Sequence, residues 1–166
     1  MERIRAYVAL GSNLADPRAQ VQRAFEELDA LPDSACVARS PLYRSEAVGP
    51  PQPDYINAVA ALDTGLDAWA LLEALQAIER AHQRLRVIRW GPRTLDLDLL
   101  LFDELRQDEP RLVLPHPRMH ERAFVLYPLF DIAPDLHIPG HGELATLLER
   151  CPPLAMERLQ GDNKNC

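Results

Sequence analysis

Residues 95–102, LDLDLLLF, constrain the fold more than any other stretch of this chain. The run is apolar except for Asp96 and Asp98, and a strand's period of two puts both carboxylates on one face. Their Cα atoms then lie about 6.5–7 Å apart. Two carboxylates buried unpaired on a leucine-rich strand would cost several kcal/mol, so their presence demands cations. The chain must therefore build a sheet that offers this pair a site for positive charge.

The residues just before supply part of that charge. In RLRVIRWGPR (84–93), Arg84, Arg86, Arg89 and Arg93 surround Trp90, and Gly91-Pro92 interrupts regular structure. Arginines alone could neutralise the pair. A divalent metal is the other possibility, since Mg²⁺ prefers oxygen ligands and is usually held by one or two carboxylates plus phosphates. No Cys or His stands beside the pair at zinc-ligand spacing. No P-loop or nucleophile-elbow motif occurs, and no cysteine nucleophile with a nearby base can be argued. Phosphoryl-type transfer and metal-assisted hydrolysis remain, both of which work by alignment and charge neutralisation.

At 166 residues and 47% hydrophobic content, the chain is expected to be one domain over 1–166, with 151–166 a weakly ordered tail. A net charge of −7 speaks against a nucleic-acid or membrane-surface binder. Lys164 is the only lysine, so nearly all positive charge is arginine, the better fork for phosphate oxygens. Cys36, Cys151 and Cys166 are odd in number and widely spaced, which argues against a disulfide framework. The N-terminus lacks an apolar run of signal length, and the expected location is cytoplasmic.

Taken in order, Ile4, Ala6, Val8 and Leu10 mark a first strand with one buried face, ended by Gly11-Ser12-Asn13. Asp16-Pro17 reads as the cap and first turn of a helix carrying Val21, Ala24, Phe25 and Leu28. Residues 35–44 read as a second strand in which Pro41 implies an edge or a bulge. The proline-rich loop 45–55 is stiff. Residues 55–62 alternate as a third strand that puts Tyr55 and Asn57 on one face. Residues 68–83 are the clearest helix, capped by Asp67, with Leu71, Leu75, Ile78 and His82 on its apolar stripe and Gln76 and Glu79 on another face. Residues 118–131 read as helix, interrupted at Pro128. Strand-helix-strand repeated twice is the split βαβ order, so the expected fold is α+β, a ferredoxin-like antiparallel sheet with helices packed on it.

RWGPRTLDLDLL (89–100) resembles the signature of the 6-hydroxymethyl-7,8-dihydropterin pyrophosphokinase family. Further family-like segments follow in order: AYVALGSNL (6–14), GPPQPDYINAV (49–59), LLEALQAIE (71–79), PHPRMHERAFVL (115–126) and PLFDIAP (128–134). The resemblance implies transfer of the β,γ-pyrophosphoryl group of ATP to the pterin's hydroxymethyl oxygen, releasing AMP, in folate biosynthesis. Asp96 and Asp98 would hold two Mg²⁺ ions that bridge the triphosphate. Arg84, Arg86 and Arg93 would neutralise the transferring group. Gln76, Glu79, Leu99, Arg111, His116 and Arg122 would lie at the nucleotide together with Arg84, Trp90 and Arg93. Tyr55 and Phe124 would sandwich the pterin and Asn57 would read its edge, with Ser45, Val48, Trp90 and Asp96 lining the same pocket. Gln83 stands where the family usually has Gly, and Glu46 where relatives often have an apolar residue or proline. The expected partners are the two small-molecule substrates, with no nucleic acid or membrane and a monomeric state. A Mg²⁺-dependent phosphohydrolase and a non-catalytic ferredoxin-like binding module are the alternatives.

Overall fold

The computed structural model describes residues 3–46, 51–82, 94–151 and 156–159. Its centre is a six-stranded antiparallel sheet, built from β1 (Ile4–Ser12), β2 (Ser34–Arg39), β3 (Tyr43–Ser45), β4 (Tyr55–Thr64), β5 (Asp96–Phe102) and β10 (Met156–Arg158). Strands run in the order β10-β3-β4-β1-β5, with β2 on the same edge of β4 as β3. Taken as one broken strand, β2 and β3 complete the ferredoxin-like order, and the split βαβ expectation holds.

The single second strand expected over 35–44 is divided. Ser40 fills the gap by donating its amide to Val59 O (2.9 Å) and accepting the Val59 amide on Oγ (2.9 Å). Pro41, with no amide to give, sits in the break. Of the stretch expected to be a tail, Met156–Arg158 instead pairs with β3. Cys36 is disulfide-bonded, where the sequence argued against a disulfide framework, while Cys151 is free.

Helices cover both faces. α1 (Pro17–Asp29) and α2 (Ala68–His82) pack Val21, Phe25, Leu28, Leu71 and Leu75 against Ala6, Val8, Leu10, Leu97 and Leu99. Asp67 caps α2 through its Oδ1, which accepts the Ala70 amide (2.8 Å). Asp16 does not cap α1 with its side chain, because its own backbone is left-handed (φ 62°). The opposite face is covered by a 3-10 turn (Met119–Glu121), α3 (Ala123–Ile132) and α4 (Leu144–Arg150). These bury Met119, Val125, Leu126, Leu129 and Leu144 on Tyr7, Val59, Ala61, Leu100 and Leu101. The helical break falls at Arg122 rather than at Pro128, which lies inside a continuous α3. Two short hairpins complete the chain, β6 (Gln107–Glu109) with β7 (Leu112–Leu114) and β8 (His137–Ile138) with β9 (Gly142–Glu143). Among the described residues, no helix is long and apolar enough to cross a membrane.

β1 is buried on both sides over most of its length, beyond the single face that its alternation suggested. α3 begins at the far end of its face. There β1, β3, β4 and β5 line a cavity with the first turn of α3, and the functional side chains gather.

Candidate active site

Register builds the site. Gly11 on β1 stands between Asn57 on β4 and Asp96 on β5, and Ala9 between Val59 and Asp98. Directly opposed residues in an antiparallel ladder share a face. Asn57, Tyr55, Gly11, Ala9, Asp96 and Asp98 therefore look out from one side of the sheet. β1 runs through Ser12, so Gly11 belongs to the strand and not to the turn expected there. A Cβ at Gly11 would come 3.1 Å from Asn57 Nδ2 and 3.8 Å from Tyr55 Cδ1. The glycine thus keeps the floor low between the amide and the carboxylates.

The β1–β5 register skips Leu100, a one-residue bulge. Up to Leu99 the strand alternates, with Asp96 and Asp98 toward the open end. Beyond it, Leu100 and Leu101 both turn into the α3 core. One strand thereby serves an open polar site and a closed apolar core.

A cavity of about 480 Å³ lies over this floor. Ser45, Glu46, Tyr55, Asn57, Asp96 and Asp98 line one side, and Arg118, Glu121, Arg122, Ala123 and Phe124 line the other. The Ser45 hydroxyl donates to Asn57 Oδ1 (2.7 Å), which fixes the buried amide and leaves its NH₂ group over Gly11. Arg122 lies over the Phe124 ring, 5.6 Å from its centroid, a cation–π contact. Asn13, in the Gly-Ser-Asn segment, donates to Gln52 Oε1 (2.9 Å) and Pro53 O (3.0 Å), tying the proline-rich loop to the end of β1.

His116 is half-buried, and its amide donates to Leu100 O (2.9 Å) at the bulge. Desolvation holds its pKa below the ordinary imidazole value. Arg122 and Arg118 push the same way, and Asp98 opposes them. His116 therefore sits within electrostatic reach of the carboxylate pair and the two arginines without belonging to the cavity wall.

Of the residues singled out from sequence, Ser45, Tyr55, Asn57, Asp96, Asp98, Arg122 and Phe124 meet at the cavity. Gln76, Glu79, Leu99, Arg111 and His116 are not among its lining residues. The Leu99 side chain lies in the core on the α1/α2 side, opposite to Asp98, and Arg111 is exposed at the β6–β7 hairpin. Glu79 reaches β5 from behind, its Oε2 accepting the Leu97 amide (2.8 Å). Val48, Arg84, Arg86, Trp90 and Arg93 lie outside the described residues. Arg118, Glu121 and Gly11 were not singled out. The first two share the PHPRMHERAF stretch with His116 and Arg122, and that charge density was the available signal.

The donor set suits a hard cation. Among the described residues, the cavity wall carries the adjacent carboxylates Asp96 and Asp98 and neither cysteine nor histidine. Among the described residues no cluster of three or more His, Cys, Asp or Glu could hold a metal by itself. Two carboxylates with an open cavity beside them match a cation whose remaining ligands come from phosphate and water.

The family model described as 7,8-dihydro-6-hydroxymethylpterin-pyrophosphokinase matches residues 7–134. The chain is 57% identical over 158 residues to a 2-amino-4-hydroxy-6-hydroxymethyldihydropteridine pyrophosphokinase of Pseudomonas aeruginosa, covering 95% of this chain and 98% of that protein. It is 46% identical to the Haemophilus influenzae protein of the same name, over 89% of this chain and 92% of the relative. Among solved structures, an HPPK-DHPS in complex with substrates superposes with a TM-score of 0.68 at 11% identity, over 90% of this chain and 43% of that one. Wild-type Plasmodium falciparum HPPK-DHPS with pteroate gives 0.69 at 13%, over 90% and 42%. The chain spans less than half of those two chains, and at such identities the likeness speaks for the fold alone. By the family model and the sequence relatives together, the chain belongs to the 7,8-dihydro-6-hydroxymethylpterin-pyrophosphokinase family.

Proposed function

We propose that the cavity is where the β,γ-pyrophosphoryl group of ATP passes to the hydroxymethyl oxygen of 6-hydroxymethyl-7,8-dihydropterin, with release of AMP. Family membership supports the reaction, and one observation carries its placement. An aromatic–amide pair and a carboxylate pair share one sheet face, separated only by Gly11. Two strand spacings set the β4 and β5 side chains about 10 Å apart. That gap suits a flat ring held over β4 whose hydroxymethyl arm reaches a phosphate chain held over β5.

Tyr55 and Phe124 offer aromatic faces to the ring, and the Asn57 amide, oriented by Ser45, donates to its edge. Among the described residues, the wall carries four carboxylates (Glu46, Asp96, Asp98, Glu121) against two guanidiniums (Arg118, Arg122). Such a lining would favour a triphosphate carried as a metal complex. Asp96 and Asp98 would hold the cation, two Mg²⁺ ions by family analogy. The ion held by this pair would supply charge neutralisation and alignment of the triphosphate. Arg118 and Arg122 add fixed positive charge beside the phosphates, and His116, kept neutral by burial, can offer a hydrogen bond without adding charge. Arg84, Arg86, Trp90 and Arg93 would complete the nucleotide side, with Gln76 and Arg111 nearby.

In the transfer the hydroxymethyl oxygen bonds to Pβ, the bond from Pβ to the oxygen bridging to the α-phosphate breaks with that oxygen staying on AMP, and the hydroxyl proton passes to solvent. The same reading makes the protein a single-domain cytoplasmic monomer that acts on small molecules. Asp96→Ala and Asp98→Ala should each lower turnover more than about 100-fold with an unchanged circular dichroism spectrum. Either variant retaining a tenth of the parent rate would refute the assignment.

A further inference from the structure

β5 is the edge strand of the sheet beyond β1, and an edge strand carries outward amides with no strand to bond. An antiparallel ladder alternates, so of three consecutive residues the middle one points its amide away from the partner when its neighbours point theirs toward it. On β5 that middle residue is Leu97, between Asp96 and Asp98. Its amide donates to Glu79 Oε2 on α2 at 2.8 Å. Asp96 and Asp98 are held from the β1 side and Leu97 from the α2 side. The backbone beneath the two carboxylates is thereby clamped from both edges. Glu79 reaches this amide from the α1/α2 side of the sheet and does not line the cavity.

We propose that Glu79 is a positioning residue for the reaction, setting the spacing and direction of the Asp96/Asp98 pair through its bond to the Leu97 amide. The inference rests on the reading of that pair as the cation site. It assigns Glu79 a role through its acceptor oxygen, distinct from a contact with nucleotide or metal through its charge. An acceptor role and a charge role separate chemically. Glutamine keeps an amide oxygen at the same reach and loses the charge, whereas methionine keeps the stem and loses the acceptor.

The test uses the full chain with a non-hydrolysable ATP analogue and Mn²⁺ in place of Mg²⁺. Mn²⁺ affinity is read by electron paramagnetic resonance, and Leu97 amide exchange by NMR. In Glu79→Met and Glu79→Ala, the Mn²⁺ dissociation constant should rise about tenfold and Leu97 exchange should accelerate by a similar factor. In Glu79→Gln both should stay within about threefold of the parent. Glutamine behaving like methionine would overturn the proposal by showing that the charge matters. Unchanged Leu97 exchange or unchanged Mn²⁺ affinity in both Glu79→Met and Glu79→Ala would overturn it too. Asp96→Ala is measured alongside. If it still binds Mn²⁺ as the parent does, the cation-site reading fails, a result distinct from any of the Glu79 outcomes.

Discussion

Replacing Gly11 by alanine should separate substrate recognition from folding. The added Cβ would stand 3.1 Å from Asn57 Nδ2, 3.8 Å from Tyr55 Cδ1 and 4.0 Å from Ile56 O. Only the first contact is tighter than ordinary packing, so the amide must move by a few tenths of an ångström. It cannot move freely, because Ser45 Oγ holds Asn57 Oδ1 at 2.7 Å and Asn57 is buried. Gly11 does not have the left-handed backbone that alanine resists. Alanine therefore gains about 0.5–1 kcal/mol over glycine in the strand, which offsets an overpacking cost of about 1 kcal/mol. The melting temperature should move by no more than about 4 °C. Recognition is different, because a displaced Asn57 gives up a hydrogen bond to the ring edge worth about 1.4 kcal/mol, or tenfold in affinity. Steady-state kinetics should show the KM for the pterin rising about tenfold and the KM for ATP changing less than twofold. An unchanged pterin KM would refute the role of Gly11 as the floor beneath the ring. Equal rises for both substrates would refute the division of the cavity into an amide side and a carboxylate side.

Ser45→Ala removes the donor that orients Asn57, and should raise the pterin KM about fivefold at a cost of about 1 kcal/mol in urea unfolding. A pterin KM unchanged in that variant would mean that the amide is oriented by something else. The Tyr43 hydroxyl, donating to Asp131, has its pKa raised above the ordinary phenol value, first by burial and then by that bond. A raised folded-state pKa is a contribution fully present below the unfolded value near pH 10 and lost as pH climbs above it. Stability of the parent should therefore fall more steeply above pH 10 than that of Tyr43→Phe. Parallel curves for the two proteins would contradict this.

The carboxylate face of β5 was legible because period two needs only the strand assignment, and the apolar residues beside Asp96 and Asp98 made that assignment firm. The same period sets Leu99 opposite to Asp98, where it packs with α1 and α2. Motif resemblance had associated it with the nucleotide. The bulge at Leu100 has no local signature. It follows from α3 presenting Leu126 and Leu129 to the far half of the strand, a contact between segments remote in sequence. Pro128 looked like a helix end on local grounds. Burial of Val125, Leu126 and Leu129 outweighs the one amide bond it forfeits, so α3 continues through it. Glu79 was visible at helical spacing from Gln76 as a group aimed near the site. Whether it met ligand or backbone depended on how α2 packs on β5. Arg118 and Glu121 escaped because the 3-10 turn that presents them has no periodicity to read.

The central claim concerns which bond of ATP is cut. ³¹P NMR of a reaction containing the full chain, ATP, Mg²⁺ and 6-hydroxymethyl-7,8-dihydropterin resolves the products directly. The expected spectrum shows AMP and a pterin diphosphate appearing in equal amounts, both dependent on the pterin. ADP or free phosphate as the main product, formed with or without the pterin, would contradict pyrophosphoryl transfer at this site.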